Sequence, residues 1–274
     1  FSVSPADAGT YTVTVSGAGG CSTDANTTVT VNLAPVGTSA GSNSPVCAGT
    51  TLSMNAAGGT GYSWTGPSGF TSASQNPDIL LVTTAASGNY TAVISGANGC
   101  TVSPTISATI YALPIINASG NSPLCENGTL GLTSGGGTSY SWTGPNTFSS
   151  AIQNPVIAPV TLSTAGIYYV TVTDANSCTD TDSVAVVVNN LPVATAGSNS
   201  PVCENSALNL TSGGGTSYSW TGPGGFTSTS QNPVISFVAP SASGTYFATT
   251  TDGNNCSASD SVAVVVNNLP VATV

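Results

Sequence analysis

Lysine, arginine and histidine are absent from all 274 residues, against ten carboxylates and a net charge of −10. That absence excludes whole classes of partner. Nucleic-acid binding is built on Lys and Arg contacts to phosphate, so it is not expected here. Polybasic attachment to anionic lipid falls for the same reason. Trypsin-like proteases find no cleavage site. No carboxylate has a basic side chain to pair with, so each must be solvated, capped by backbone N–H or neutralised by an external cation.

Catalysis loses its usual machinery too. Without His, Lys or Arg only Asp and Glu remain as general bases, and the abundant Ser and Thr are hydroxyls without an activating base. A hydrolytic carboxylate pair needs two acids converging in a cleft. Here they sit near predicted turns and differ along the chain: the pair Asp180 and Asp182 recurs in the last part of the chain only as Asp260. The expectation is no enzyme. No stretch approaches 18 consecutive apolar residues, so no helical membrane span is expected in this segment. No signal peptide is visible. Phe1 falls inside a repeat, which implies a segment of a longer chain.

What the chain does have is a repeat. A cysteine is followed 17 residues later by tryptophan and 36 residues after that by a second cysteine, as Cys47–Trp64–Cys100, Cys125–Trp142–Cys178 and Cys203–Trp220–Cys256. The three sets are evenly spaced, with a period of 78. A fixed period of this kind marks a tandem array of one small module. The seventh cysteine, Cys21, follows Tyr11 by ten residues, as Cys100, Cys178 and Cys256 follow Tyr90, Tyr168 and Tyr246. It belongs to a module whose first half is missing from the sequence.

The expected organisation is residues 1–34 as the C-terminal half of a repeat, complete repeats over 35–113, 114–191 and 192–270, and 271–274 as the start of another. Stiff joints are expected at Leu33-Ala34-Pro35, Leu113-Pro114, Leu191-Pro192 and Leu269-Pro270.

Within a repeat, Ala207-Leu208-Asn209-Leu210 alternates as a half-buried strand does, and Tyr218 and Trp220 share one face at period two. Gly-Pro and Gly/Asn clusters punctuate the chain at intervals of roughly 8–12 residues, and no helical period appears. The fold class is therefore all-β: a tandem array of seven-stranded immunoglobulin-like β-sandwiches with one disulfide per module. Asp7-Ala8-Gly9-Thr10-Tyr11 is the corner that precedes strand F in such domains, and Gly-x-Tyr recurs at Tyr90, Tyr168 and Tyr246. Trp64, Trp142, Trp220, Tyr11, Tyr90, Tyr168 and Tyr246 are the expected core aromatics.

The invariant 53-residue separation predicts the pairing Cys47–Cys100, Cys125–Cys178 and Cys203–Cys256, each within one module. A loop of that size is worth about 4 kcal/mol by loop-closure entropy. Paired cysteines imply an oxidising compartment, extracellular or at the cell surface. A metal site is the competing reading, but the chain has neither His nor a CxxC pair.

Ser219-Trp220-Thr221-Gly222-Pro223, followed by Phe226 and Gln231-Asn232-Pro233, has close copies at 63–77 and 141–155. This pattern resembles the tandem immunoglobulin-like or PKD-like repeats of large secreted bacterial surface adhesins and filaments of the type IX secretion kind. The Trp-Asp-Phe-Gly-Asp-Gly signature of true PKD domains is missing. The resemblance implies surface location and a role in adhesion or filament building, and names no ligand.

Further candidates are local. Asp174, Asp180 and Asp182 place oxygen ligands close together in one hairpin and are candidate Ca²⁺ ligands; so are Glu126 and Glu204, each directly after a cysteine. A polar turn explains the same residues, and no other cofactor is expected. Ser183 and Ser261, in Asp-Ser-Val, resemble the O-glycan acceptor of those secreting bacteria. Gln75, Gln153 and Gln231 are conceivable partners for a Thr–Gln ester crosslink. Phe70, Phe148 and Phe226 are the recurrent loop aromatics.

Two functions follow: an extracellular structural repeat protein forming a stiff rod, stalk or filament, or an adhesin module that binds glycan or a surface protein. Partners would be neighbouring repeats or self-association, or glycans and cell-surface proteins.

Overall fold

Period-two alternation decides which faces are buried. Leu52, Met54 and Ala56 point inward from one strand, while Tyr90, Ala92 and Ile94 point inward from another. Two such faces bury each other only if the chain doubles into layered sheets. A computed structural model describes residues 3–271, and residues 35–270 are built this way.

Over residues 192–270, one sheet has three antiparallel strands, Thr195–Ser198, Leu208–Gly213 and Val234–Ile235. The other has four, in the order Phe226–Ser228, Ser217–Gly222, Gly244–Thr251, Ser257–Val264. A short parallel pair, Val202–Cys203 with Val266–Asn267, carries the first strand across to the far edge of the second sheet. Residues 114–191 repeat the pattern strand for strand, ending in the parallel pair Leu124–Cys125 with Val188–Asn189. In residues 35–113 Pro104, which has no N–H to donate, stands between Thr101–Val102 and Thr105–Ala108. A sandwich of three strands against four, with the first strand split and its second part parallel to the last strand, is the immunoglobulin-like arrangement. The fold is all-β and immunoglobulin-like.

Three hydrophobic clusters form the core, centred on Trp64 with Tyr90, Trp142 with Tyr168, and Trp220 with Tyr246. All six rings are buried. Each tyrosine hydroxyl donates back to a carbonyl four residues upstream: Tyr90 to Ala86 at 2.8 Å, Tyr168 to Thr164 at 2.9 Å, Tyr246 to Ala242 at 3.0 Å. Tyr11 makes the same bond to Asp7, 2.8 Å, yet is 52% exposed, which corrects its expected place in a core. Gly9–Ser16 and Ser22–Val29 form a two-stranded ribbon whose inward positions Tyr11, Val13 and Val15 have no second sheet above them.

The glycine of Thr-Gly-Pro is dictated by that tyrosine. A Cβ on Gly144 would lie 2.6 Å from Tyr168 Cε1, and Gly66 and Gly222 sit equally close beneath Tyr90 and Tyr246. Phe70, Phe148 and Phe226 meet the same tyrosines edge-on, with ring centroids 5.6, 5.5 and 5.6 Å apart. The pocket is therefore closed on both sides, and Gly144→Ala is expected to cost about 2 kcal/mol by overpacking. Thermal unfolding of that variant checks the value; an unchanged midpoint would show that the ring can move aside.

The chain divides into two compact units, Phe1–Leu113 with Asn176–Cys178, and Pro114–Ala175 with Thr179–Val274. Val271 is the last described residue, so Ala272, Thr273 and Val274, expected to begin a further repeat, lie outside the described residues.

Candidate functional site

Each complete sandwich places its two cysteines at opposite ends. Cys203 lies in the parallel pair, opposite Asn267, where the last strand finishes. Cys256 lies in the turn that opens that strand, eleven residues earlier. At ~3.3 Å per residue those ends are about 35 Å apart, whereas a disulfide requires Cα atoms within about 7 Å. A bond within one module is geometrically closed off.

The structure pairs the cysteines differently. Cys125 bonds Cys256, and Cys47 bonds Cys178, with Cα–Cα separations of 5.5 and 5.6 Å and 131 residues between partners in both cases. Each bond joins the first cysteine of one repeat to the second cysteine of the next. The predicted pairs Cys47–Cys100, Cys125–Cys178 and Cys203–Cys256 are thereby corrected, as is one disulfide per module. Cys21, Cys100 and Cys203 are free thiols.

The two bonding positions are built alike each time. The first cysteine ends a two-residue strand held parallel to the end of the last strand: Cys47 opposite Tyr111, Cys125 opposite Asn189. The second follows a tight turn in which Asp252 N–H donates to the Cys256 carbonyl, 2.9 Å. That turn needs a left-handed residue just before the cysteine, supplied by Gly20, Gly99, Ser177 and Asn255 with φ of 78°, 80°, 65° and 61°. Asp252 Oδ1 accepts from Asn254 and Cys256 N–H, both 2.9 Å, so this carboxylate fixes the turn. Cys178 and Cys256 are fully buried in their bonds.

Several of the remaining acids accept from backbone N–H groups. Asp182 Oδ2 accepts from Ala118 N–H at 3.0 Å and Oδ1 from Ser183 N–H at 2.7 Å, tying the first strand of its sandwich to the last. Those N–H groups, Ala118 first, hold its carboxyl below the usual carboxylate range. Because folding lowers this pKa, the stabilisation is present above the unfolded value and is lost as pH falls through the folded one. Asp260 repeats the bond to Ala196 N–H, 2.8 Å. Asp180 accepts from Thr181 N–H, 2.8 Å, and Glu204 Oε1 from Leu269 N–H, 3.1 Å. Glu126 donates its own backbone N–H to Asn189. Among the described residues no three acids, cysteines or histidines converge as a metal centre would require. No three of the Ca²⁺ candidates Asp174, Asp180, Asp182, Glu126 and Glu204 therefore share a site.

Ser183 and Ser261 are exposed within strands, opposite the exposed rings of Tyr169 and Phe247. The glutamines, considered for an ester, act through their amides. The side-chain amides of Gln75, Gln153 and Gln231 donate to the carbonyls of Ala56, Ser134 and Ser212, at 2.8, 2.8 and 2.9 Å. Their backbone carbonyls accept the indole N–H of Trp64, Trp142 and Trp220, at 3.4, 3.1 and 3.2 Å. Asn76, Asn154 and Asn232 accept from the N–H groups of the same three strand-end residues. Gln-Asn-Pro is a latch that holds the Trp and closes the second strand, a role that sequence reasoning missed. Its threefold recurrence at a fixed eleven residues after each Trp was the available signal.

No protein-family model and no curated protein matches the chain. Among solved structures it is similar to the three N-terminal domains of the outer capsid protein Hoc of bacteriophage RB49, at 11% identity over 85% of this chain and 98% of that one, TM-score 0.38. A Ca²⁺-stabilised adhesin of an Antarctic bacterium matches at 16% identity over 96% and 82%, TM-score 0.38. Sidekick-1 immunoglobulin domains 1–5 match at 14% identity over 97% and 68%, TM-score 0.32. Overlap at this level is loose, and the fold assignment rests on the strand topology above.

Proposed function

We propose that the chain is part of an extracellular structural repeat protein, a stiff rod, stalk or filament at a bacterial surface, built of immunoglobulin-like units at 35–113, 114–191 and 192–270. The observation that carries this reading is the disulfide from one repeat to the next. A bond within a module would protect that module alone. Cys125–Cys256 instead fastens neighbouring modules covalently at a second point besides the Leu-Pro linker, so that they cannot swing independently. Locking a joint is useful to a part that bears load or sets a distance, and it does nothing for a solitary binding domain.

Supporting features are the disulfides themselves, which persist in oxidising surroundings, and the acid-only surface without tryptic sites. The sequence resemblance to secreted adhesin and filament repeats points the same way. Adhesion to glycan or a surface protein is the alternative. It gains no specific support from a cleft shared by all the repeats or from exposed rings in the recurrent loop, where Phe70, Phe148 and Phe226 pack inward.

Small-angle scattering tests the reading. Strands of eight to ten residues with their turns give roughly 35–40 Å of axial length per module, so the oxidised chain is expected to have a maximum dimension above about 110 Å. Reduction should broaden its distance distribution as the joints loosen. A compact particle, or one unchanged by reduction, would overturn the rod.

A further inference from the structure

The outer face of the four-stranded sheet is a grid of hydroxyls with one aromatic ring set into it, in both sandwiches of residues 114–270. Cross-strand register makes one row of Thr143, Tyr169 and Ser183, and the matching row of Thr221, Phe247 and Ser261. All six are exposed, the two rings by 49% and 51%. The next two rows of the first sheet are Ser141-Thr171-Thr181 and Ser139-Thr173-Thr179, and every matching position of the second sheet is also Ser or Thr. Neighbours across strands stand about 5 Å apart, so each ring has a hydroxyl close on either side.

This face is also the uncharged one. Asp180, Asp182 and Asp260 occupy the outermost strands, but at the alternate positions, in step with buried Val186 and Val264. Glu126, Asp174, Glu204 and Asp252 lie outside the strands of that sheet. The chain has no basic side chain and a net charge of −10, so an anion finds no counter-charge here and is repelled at a distance. The partner that suits the face is neutral.

A protein partner suits it poorly. Interface cores are apolar and depleted in Ser, and a single ring among Ser and Thr makes no such core. A sugar suits it well. The flat C–H face of a pyranose can cover the apolar body of an aromatic ring, while hydroxyls at the sugar's edge exchange hydrogen bonds with Ser and Thr on both sides. Between the two sandwiches Tyr169 gives way to Phe247, so the ring is kept and its own hydroxyl is not, as stacking requires. Residues 35–113 provide the contrast: Thr91 takes the ring's place, between Thr65 and Thr105.

We propose that Tyr169 and Phe247 are stacking positions for a neutral polysaccharide of equatorially linked pyranose rings. Thr143 with Ser183, and Thr221 with Ser261, hydrogen-bond its hydroxyls. An open sheet face selects an extended, flat polymer over a branched or compact sugar. This goes beyond the mechanical reading, and neither depends on the other.

The test is native electrophoresis of the whole chain through gels containing hydroxyethylcellulose or glucomannan, with alginate as the anionic comparison. Retardation by a neutral polymer and none by alginate is the expected result. Tyr169→Ala and Phe247→Ala should each weaken binding about tenfold, the loss of one stacked ring. Tyr169→Phe should leave it unchanged. Thr91→Tyr, which sets a ring into the sheet that lacks one, should strengthen it, a gain that a merely structural ring would not produce. Because both rings are exposed, thermal unfolding midpoints of all four variants should match the parent. No retardation by either neutral polymer, equal retardation by alginate, or binding unchanged when both rings are replaced by Ala would each overturn the proposal. So would a dimer of this chain that is lost with the rings while no polymer binds, since the face would then belong to a second copy.

Discussion

Stretched to its limit, the chain is expected to respond very unequally to losing its first and its second disulfide. With both closed, the shortest covalent route from Cys47 to Cys256 crosses to Cys178, runs back along the chain to Cys125, and crosses again. Only about 50 residues of backbone lie on that route, about 190 Å at ~3.5 Å per residue. Removing Cys125–Cys256 with paired serine substitutions leaves the crossing to Cys178 followed by the direct run to Cys256. That adds only about 25 residues, or about 90 Å. Removing the other bond as well releases all of the roughly 210 residues, a further ~460 Å. Pairing within modules would behave otherwise, because substituting Cys125 and Cys256 would open two bonds and free about 105 residues at once, or about 370 Å. Single-molecule force extension of the paired variant separates the two, and a gain of that larger size would refute the crossed connectivity. The shared segment 125–178 carries the load in reverse, so the sandwich around Trp142 is the last part of the route able to lengthen.

The second large effect is at that tryptophan. Trp142 is fully buried and donates its indole N–H to the Gln153 carbonyl. It packs with Leu130, Leu132, Tyr168 and Val170 in one cluster. Trp142→Ala is expected to cost about 3–5 kcal/mol from lost burial and the cavity left behind. A domain of this size has a total stability of about 4–12 kcal/mol. The variant should therefore lose most or all cooperative unfolding of residues 114–191, while the cores around Trp64 and Trp220 persist. Calorimetry of the oxidised protein checks this, and a loss below about 1 kcal/mol would mean the indole is not a keystone. The closed disulfides do not mask the effect, since each contributes about 5 kcal/mol by limiting the unfolded chain and fills no cavity.

Much of this architecture was legible in one dimension because its causes are local. Alternation at Leu52, Met54 and Ala56 fixes a face, Gly-Pro and Asn-Pro fix turns, and Gly-x-Tyr brings a hydroxyl back to a carbonyl four residues upstream. These interactions span a few residues or one hairpin, so composition and spacing suffice. The copying of Trp64, Trp142 and Trp220 at one period made the core aromatics visible for the same reason. Tyr11 misled because its motif is intact and local, while its burial depends on a second sheet that residues 3–34 do not contain.

The sequence by itself determined the repeat, the all-β alternation and the absence of every basic side chain. The cysteine pairing was decided only in three dimensions. Cys125 lies as regularly spaced from Cys178, inside its own module, as from Cys256 in the next, and both separations recur along the array. Spacing could not choose between them. The choice is made by strand direction: the first cysteine ends up where the last strand finishes and the second where that strand begins, a full sandwich length apart. Only the turn of the following repeat comes within reach of a sulfur.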